Sequence, residues 1–248
     1  MPSSKSNLDL EAQKVLHDPK RSALERYMLV VLGRRSLGAL VKYELITGLF
    51  GGWAGAVGLA LRQKAYPCLF KAWGRGTTLG RHCSIRGAER ISLGRDVHID
   101  DNCVLDARGA GAHIAIGDGV FVGRNTIIRC RGESLAIGDG SDIGCNCLVA
   151  TDSRLEIGKE VLLAAYTYVA AGGTHRHDDK TVPIIRQGFD RKGGITIGDG
   201  AWIGSHTTLL DGSSVGKGSI VGAHSLVNSA IPEMVIAFGV PAKVHKPR

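Results

Sequence analysis

Aliphatic residues recur at every sixth position over most of the second half of the chain. Upstream, the same spacing appears in four triplets, at positions 93/99/105, 116/122/128, 137/143/149 and 157/163/169. The longest unbroken run consists of Ile197, Ile203, Leu209, Val215, Val221 and Val227. Four residues after each of these, the side chain is small in five cases of six: Ala201, Thr207, Ser213, Ser219 and Ser225, with Ile231 as the exception. An α-helix needs a period of 3.6 and a half-buried strand a period of two, so the pattern predicts neither as an isolated element.

A period of six is typical of a parallel β-helix, in which each hexad supplies one short strand and a turn. Three hexads then form one triangular coil of about 18 residues. The aliphatic residue fills the interior, and the small residue fits the tight corner beside it. The 35 glycines and the few aromatic residues suit such a structure of repeated turns. The sequence therefore predicts a mainly β domain over residues 76–248.

One interval between coils is much longer than the others. The predicted coils begin at positions 93, 116, 137, 157, 197 and 215, and the fourth interval exceeds 18 residues by 22. We assign this excess to a loop at residues 174–195. Loops of this length are uncommon, and loops on rigid scaffolds often carry function.

The segment "ITIGDGAWIG", the hexads after it and the closing "FGVPAKV" resemble the hexapeptide-repeat acyltransferases. More narrowly, residues 77–245 resemble the maltose, galactoside and exopolysaccharide O-acetyltransferases of that family. The resemblance implies a left-handed β-helix, a homotrimer with active sites between subunits, and acetyl-CoA as the acyl donor. It implies a sugar hydroxyl as the acceptor, in a glycan, polysaccharide or lipid-linked saccharide. The identity of the sugar and the length of the acyl chain stay open.

The loop "GGTHRHDDKTVPIIRQGFDRKGG" contains the match to the catalytic histidine of these acetyltransferases. His175 is followed eight residues later by Pro183-Ile184 and then by Gln187-Gly188, as in the polysaccharide members. An imidazole suits the role of general base, because its ordinary pKa of about 6.5 lies near the working pH. His177 lies two positions away from the motif and is interpreted as a solvated loop residue.

The loop departs from the family pattern after the histidine. Polysaccharide members have Asp-x-Pro there, whereas this chain has Thr181-Val182-Pro183. If that carboxylate orients the base, Asp178 or Asp179 must replace it. Together with Gln187, these two residues are the candidate acceptor-binding residues.

The resemblance also supplies candidates for coenzyme binding near the end of the chain. Lys243 matches a position near the coenzyme phosphates, and a point charge suits phosphate. Glycine is also required by the repeat itself, and Trp202 could simply pack at a corner. The candidate set comprises Trp202, Gly204, Ser205, Gly222, Ala223 and Lys243.

Three other functions compete with O-acetyl transfer. An N-acyltransferase acting on a nucleotide-linked amino sugar would use the same coil and a histidine. A non-enzymatic β-helix scaffold would not require the interrupted coil or His175. The sequence His175-x-His177 offers metal ligands, but the histidine spacing of the γ-class carbonic anhydrases, which share the left-handed coil, is not found. No metal is therefore expected.

Positive charge is concentrated in the first 75 residues. They contain twelve Lys or Arg against five Asp or Glu, whereas residues 76–248 contain 19 against 18. The repeats lack a basic stripe beside aromatic residues, which disfavours a nucleic-acid partner. The six cysteines form no CxxC pair and no signal peptide is recognised, so we expect free thiols in a cytoplasmic protein.

Residues 1–75 are predicted to form a separate helical segment. Helices are expected over residues 7–36, starting at Asn7 or Asp9 and broken at Asp18-Pro19. The stretch Leu45–Leu61 carries no charge and is flanked by basic residues. Residues 28–72 could therefore contact an anionic membrane, on the inner face of the cytoplasmic membrane. The alternative is that residues 37–64 cap the open end of the β-helix, since solenoids need caps.

Overall fold

The computed structural model describes residues 15–109 and 111–248. A helical stretch at residues 15–17 is followed by α1 (Ala23–Leu32), α2 (Leu37–Phe50) and α3 (Gly55–Ala65), all before the β-helix, and α4 (Ile184–Gln187) lies in the longest connection between coils. Short 3-10 helices occupy Tyr66–Leu69 and Ala88–Arg90. The chain turns at Asp18-Pro19, as predicted, and the candidate starts Asn7 and Asp9 lie outside the described residues.

The rest of the chain winds through three parallel sheets. Sheet 1 contains β1 (Ala72–Trp73), β4 (Ile91–Leu93), β7 (His113–Ile116), β10 (Ser134–Ile137), β13 (Arg154–Ile157), β18 (Ile195–Ile197), β21 (Ser214–Val215) and β24 (Ala230–Ile231). Sheet 2 contains β2 (Thr78–Leu79), β5 (His98–Ile99), β8 (Phe121–Val122), β11 (Asp142–Ile143), β14 (Leu162–Leu163), β19 (Trp202–Ile203), β22 (Ile220–Val221) and β25 (Val235–Gly239), and ends with the antiparallel β26 (Ala242–Pro247). Sheet 3 contains β3 (Ser84–Arg86), β6 (Val104–Asp106), β9 (Ile127–Cys130), β12 (Leu148–Thr151), β15 (Tyr168–Ala171), β20 (Thr208–Leu210) and β23 (Leu226–Val227).

This arrangement confirms the parallel β-helix predicted from the period of six. All 18 aliphatic positions of the pattern are buried, and they line one continuous core. The strands are parallel and in register, for example Ile137 opposite Ile157 and Ile157 opposite Ile197. Glycine follows the aliphatic residue because the next coil passes close by. A Cβ added to Gly198 would lie 2.6 Å from the backbone nitrogen of Lys217. One further coil, β1 to β3, precedes the first one predicted.

The three corners of the coil differ in length. Between sheets 1 and 2, and between sheets 2 and 3, four residues connect the strands at every coil up to β22. The third residue of each connection has positive φ; at the sheet 2–3 corner this residue is His82, Asn102, Asn125, Asn146, Tyr166, His206 or His224. At the sheet 3–1 corner the connection varies from two residues to 23. Insertions are therefore confined to one edge of the β-helix.

The N-terminal helices pack against the first coil. Arg62 is 3% exposed, and its guanidinium donates to the carbonyls of Leu79, Phe50 and Trp53 at 2.8, 3.2 and 2.8 Å. Residues 37–64 thus cap the end of the β-helix. The uncharged stretch is not one helix, because α2 ends at Phe50 and α3 begins at Gly55. Within the described residues, no helix is long and apolar enough to cross a membrane.

Candidate active site

The longest excursion from the β-helix leaves β15 and returns at β18; we call residues 172–194 the long loop. Inside it, β16 (Thr174–His175) pairs antiparallel with β17 (Phe189–Asp190), and α4 lies between them. The sharp departures at its ends require glycine. Gly173 and Gly194 have φ near +100°, and a Cβ on Gly194 would lie 2.1 Å from the carbonyl oxygen of Arg154.

Asp211 joins the two ends of the long loop. Its carboxylate is 5% exposed and accepts from the backbone N–H groups of Gly172, Lys192 and Gly194 at 3.1, 2.5 and 2.9 Å. A buried carboxylate with three backbone donors is well satisfied. Asp211 therefore fixes the base of the loop on β20's side of the corner. Asp211 is not among the candidate residues predicted from the sequence, although it directly follows β20.

His175 lies at the pairing position opposite Phe189. Their ring centroids are 4.2 Å apart with the planes tilted by 37°, and the histidine is exposed. Nδ1 of His177 lies 3.3 Å from the carbonyl oxygen of His175. An imidazole supported on one face and open to solvent on the other can accept a proton from an incoming hydroxyl.

The two candidate carboxylates are engaged inside the loop. The guanidinium of Arg176 donates to Asp178 at 2.8 and 3.2 Å and lowers the pKa of that carboxyl. Thr181 donates to Asp179 from its hydroxyl and backbone N–H at 2.6 and 2.8 Å, which lowers the pKa of Asp179. Both carboxylates are therefore ionised at neutral pH. In residues 15–109 and 111–248, neither one is hydrogen-bonded to the His175 ring.

Gln187 ties the loop together through its amide. Its Nε2 donates to the carbonyl oxygens of Asp179 and Val182 at 2.6 and 2.7 Å, and its Oε1 accepts from the Asp179 N–H at 3.1 Å. These contacts close the turn around α4. The side chain thereby shapes the loop that carries His175.

The fold brings the six candidate coenzyme residues to one end of sheet 2. Trp202 lies on β19 with its side chain 47% exposed, and Lys243 lies on β26. Two pairs occupy successive turns of the sheet 2–3 corner: Gly204-Ser205 and Gly222-Ala223. A Cβ on Gly204 would lie 2.5 Å from the nitrogen of Ala223, so the coils need glycine there on packing grounds alone.

The backbone of these two turns offers hydrogen-bond donors. The N–H groups of Gly204 and Gly222 are used between coils, donating to Val221 and Ala237 at 2.8 Å. Within the described part of the chain, the N–H groups of Ser205 and Ala223 have no acceptor. An amide-containing chain laid along this corner could accept from them.

The His175 loop and this corner are on opposite edges of sheet 3. The long loop begins at the sheet 3–1 corner, between the coil of β15 and the coil of β20. The Gly204 and Gly222 turns are at the sheet 2–3 corner of that second coil and the next. One chain therefore holds His175 and the candidate coenzyme residues at neighbouring coils of the β-helix, but on different edges of it.

No metal cluster accompanies these residues. Among the described residues, no group of three or more His, Cys, Asp or Glu side chains could hold a metal ion. His206 and His224 instead stack on each other at the sheet 2–3 corner, with ring centroids 4.7 Å apart. They occupy turn positions with positive φ.

The chain is built from hexapeptide repeats, and residues 194–229 match the family model of the bacterial transferase hexapeptide (six repeats). Proteins similar to it carry acyltransferase names, which confirms the resemblance. A probable acetyltransferase of Mycobacterium tuberculosis is 35% identical over 159 residues, covering 64% of this chain and 45% of that protein. Galactoside O-acetyltransferase of Escherichia coli is 34% identical over 99 residues, covering 40% and 47%. The chain spans about half the length of the curated relatives that it matches.

A solved structure with the same fold contains an acyl-coenzyme A. The N-acyltransferase AntD of Bacillus cereus, in complex with dTDP and 3-hydroxybutyryl-CoA, aligns with a TM-score of 0.52. The alignment covers 80% of this chain and 90% of AntD, with 20% identity. At this identity the likeness establishes the shared fold alone.

Proposed function

We propose that this protein transfers an acetyl group from acetyl-CoA to a hydroxyl group of a sugar in a glycan, with His175 as the general base. The observation that carries the proposal is the position of His175. It lies on an ordered strand pair in the one long insertion of a hexapeptide-repeat β-helix, and Asp211 and Gln187 hold that insertion in shape. The names of the relatives, acetyltransferase and galactoside O-acetyltransferase, support the acyl group and the acceptor class.

The reaction requires one proton acceptor. The His175 imidazole takes the proton of the sugar hydroxyl while the hydroxyl oxygen attacks the thioester carbonyl carbon. The carbon–sulfur bond then breaks, and the proton passes from the imidazolium to the departing coenzyme A thiolate. The products are an O-acetyl ester and free coenzyme A. The N–H groups of Ser205 and Ala223 would donate to the amide carbonyls of the pantetheine arm, and Lys243 would lie near the phosphates.

A trimer would complete the site. His175 and the sheet 2–3 corner are separated by the width of sheet 3 in one chain, so one subunit's loop would serve the coenzyme held at its neighbour's corner. Large apolar side chains are exposed on the outer faces of sheets 2 and 3, which is typical of surfaces that associate. They are Phe121, Leu162 and Trp202 on sheet 2, and Ile127 and Tyr168 on sheet 3.

The test measures coenzyme binding and turnover separately in wild type and His175→Ala. Acetyl-CoA binding is measured by calorimetry, and turnover by release of the free thiol with galactosides and other sugars as acceptors. Loss of the base should reduce turnover by about 10²–10⁴-fold and leave acetyl-CoA binding within about threefold. The control is His177→Ala, which removes the neighbouring exposed imidazole and should retain activity. An active His175→Ala enzyme would remove His175 from the mechanism, and absence of acetyl-CoA binding by wild type would overturn the transferase proposal.

A further inference from the structure

An exposed line of apolar side chains runs along the outside of the N-terminal cap. On α2 the residues are spaced by four, which places them along one side of the helix. The spacing continues through the following turn into α3. We call this line the apolar ridge; its residues are Leu37, Val41, Leu45, Leu49, Trp53 and Val57, each between 55% and 63% exposed.

The other side of α2 is already used to close the β-helix. Leu40 is buried, and Tyr43, Ile46 and Phe50 pack against the buried cores. A helix that is apolar on both sides is normally covered on both sides. Here the outer side is open, because a Cβ added to Gly38 or Gly48 would meet no atom within 4 Å. The cap thus has a packed inner face and an unpartnered outer one.

Basic residues outnumber acidic ones in the segment that carries the ridge, although the exposed Glu44 also lies on α2. Residues 15–75 contain ten Lys or Arg and only three Asp or Glu. Lys42 lies beside the ridge on α2 and donates to the carbonyl of Cys68 at 2.6 Å, while Lys64 is exposed in the last turn of α3. Arg34 and Arg35, which are about half exposed, precede α2 and pair with Glu89 at 3.6 Å and Glu25 at 3.3 Å. Long basic side chains of this kind can extend their charges to a surface while apolar neighbours insert.

The charge distinguishes between two occupants of the ridge. A second copy of the cap would bring two segments of high positive charge together, which opposes association. An anionic surface would instead be attracted, with a stabilisation of about 1 kcal/mol for each nearby basic residue. Trp53 on the ridge belongs to the residue types enriched where apolar and aqueous phases meet. The features together favour a lipid surface.

We propose that the apolar ridge docks the protein on the surface of an anionic lipid bilayer. The ridge side chains insert among the headgroups, and the basic residues beside it contact lipid phosphates. The protein lies on the membrane without crossing it, because α2 and α3 are separated at residues 51–54. This proposal does not depend on acetyl transfer, so its test is independent of the test of the proposed function.

Vesicle flotation tests it with the full chain. Wild type is mixed with vesicles of phosphatidylcholine alone, or of phosphatidylcholine with phosphatidylglycerol. We expect flotation with the anionic vesicles and its loss in high salt, because salt screens surface charge. The double variant Leu45→Gln/Leu49→Gln should bind the anionic vesicles about tenfold more weakly. The matched control is Met234→Gln, which changes an equally exposed apolar residue at the other end of the β-helix.

Each remaining outcome has a defined meaning. Thermal melting and the mass in solution are measured for every variant, since the changed side chains are exposed and should leave both unaltered. Equal flotation of wild type and the double variant would overturn the proposal, as would no flotation of wild type. A lower oligomeric mass of the double variant would also overturn it and assign the ridge to a second copy of the chain.

Discussion

The two ends of the β-helix are closed in different ways. At the N-terminal end, three helices cover the first coil, and the buried guanidinium of Arg62 joins α2, α3 and β2 through three carbonyls. At the C-terminal end, β26 folds back on β25 as an antiparallel hairpin. Its outer residues are exposed and largely polar or basic, and Arg248 donates to the carbonyl of Gly218 at 2.6 Å.

The two ends show two different ways to close a solenoid. A hairpin satisfies the last coil with backbone hydrogen bonds and needs little apolar surface. A helical cap must bury side chains, and this one presents further apolar side chains outward. The N-terminal end thus combines a packed inner face with an exposed apolar outer face. Three changes test the contrast, in order of expected effect.

Arg62→Met should produce the largest effect. The variant leaves three carbonyl groups near the cap without their donor and removes a cation from the C-terminal end of α2. We expect a loss of about 3 kcal/mol in the free energy of unfolding, measured by denaturant titration. Lys64→Met is the control, because Lys64 is exposed on the same helix. If both variants unfold at the same denaturant concentration as wild type, Arg62 does not hold the cap.

Alkali should weaken the N-terminal end next. Burial raises the pKa of Tyr66 from 10.0 to about 12, and burial likewise raises the pKa of the Cys83 thiol from 9.0 to about 12. Both groups keep their protons in the folded state while the unfolded chain releases them at its lower pKa values. The stabilisation is therefore complete below pH 9 and is lost as the pH rises towards 12.

The check is the melting temperature of wild type and Tyr66→Phe measured across this range. Wild type should lose several kcal/mol of stability on the alkaline side, because each pKa unit of difference between the folded and unfolded states is worth about 1.4 kcal/mol. Tyr66→Phe should show a smaller pH dependence but not lose it, since burial also raises the pKa values of the Cys83, Cys103 and Cys130 thiols. Tyr168→Phe, which changes an exposed tyrosine on sheet 3, should follow wild type. A Tyr66→Phe profile identical to wild type would contradict the assignment.

Arg248→Met should have the smallest effect. The residue is exposed, its hydrogen bond competes with water, and β26 retains its backbone pairing to β25. We expect a change below about 1 kcal/mol in the same denaturant titration. A loss equal to that of Arg62→Met would show that the two ends depend on their arginines alike.

The period of six made most of the fold predictable. Every aliphatic position of the pattern is inside, and the small residue four positions later in the run from Ile197 is buried too. There Ser219 donates its hydroxyl to the carbonyl of Pro232 in the next coil, and Ser225 donates to the carbonyl of Gly222 in its own turn. The first coil escaped the pattern because it has Trp73 where later coils have an aliphatic residue, which left only Leu79 and Ile85 to mark it.

The helical segment was only partly predictable. Its uncharged stretch left membrane contact and capping as alternatives, and the structure shows that Gly51-Gly52 separates α2 from α3, which pack over the first coil. Whether such a segment packs as a cap depends on what the helices pack against, and the hydropathy of the segment does not contain that information.

For the candidate site, the long insertion and His175 could be located from spacing and resemblance. The partners of the loop residues could not, because they are set by tertiary contacts. Arg176 engages Asp178, Thr181 engages Asp179, and Asp211 lies 17 residues beyond Gly194 in the chain yet holds the loop's ends. The role of His175 and of the coenzyme residues stays a prediction until turnover is measured.

The unequal corners of the coil divide the molecule into parts that can and cannot accept change. Two edges keep four residues per turn, and their positive-φ residues stack from coil to coil, so an added residue would displace every layer above it. The third edge already accommodates connections of two to 23 residues without altering the register of the strands beside it. New chemistry can therefore be added or exchanged along that single edge, one coil at a time, while the scaffold keeps its shape.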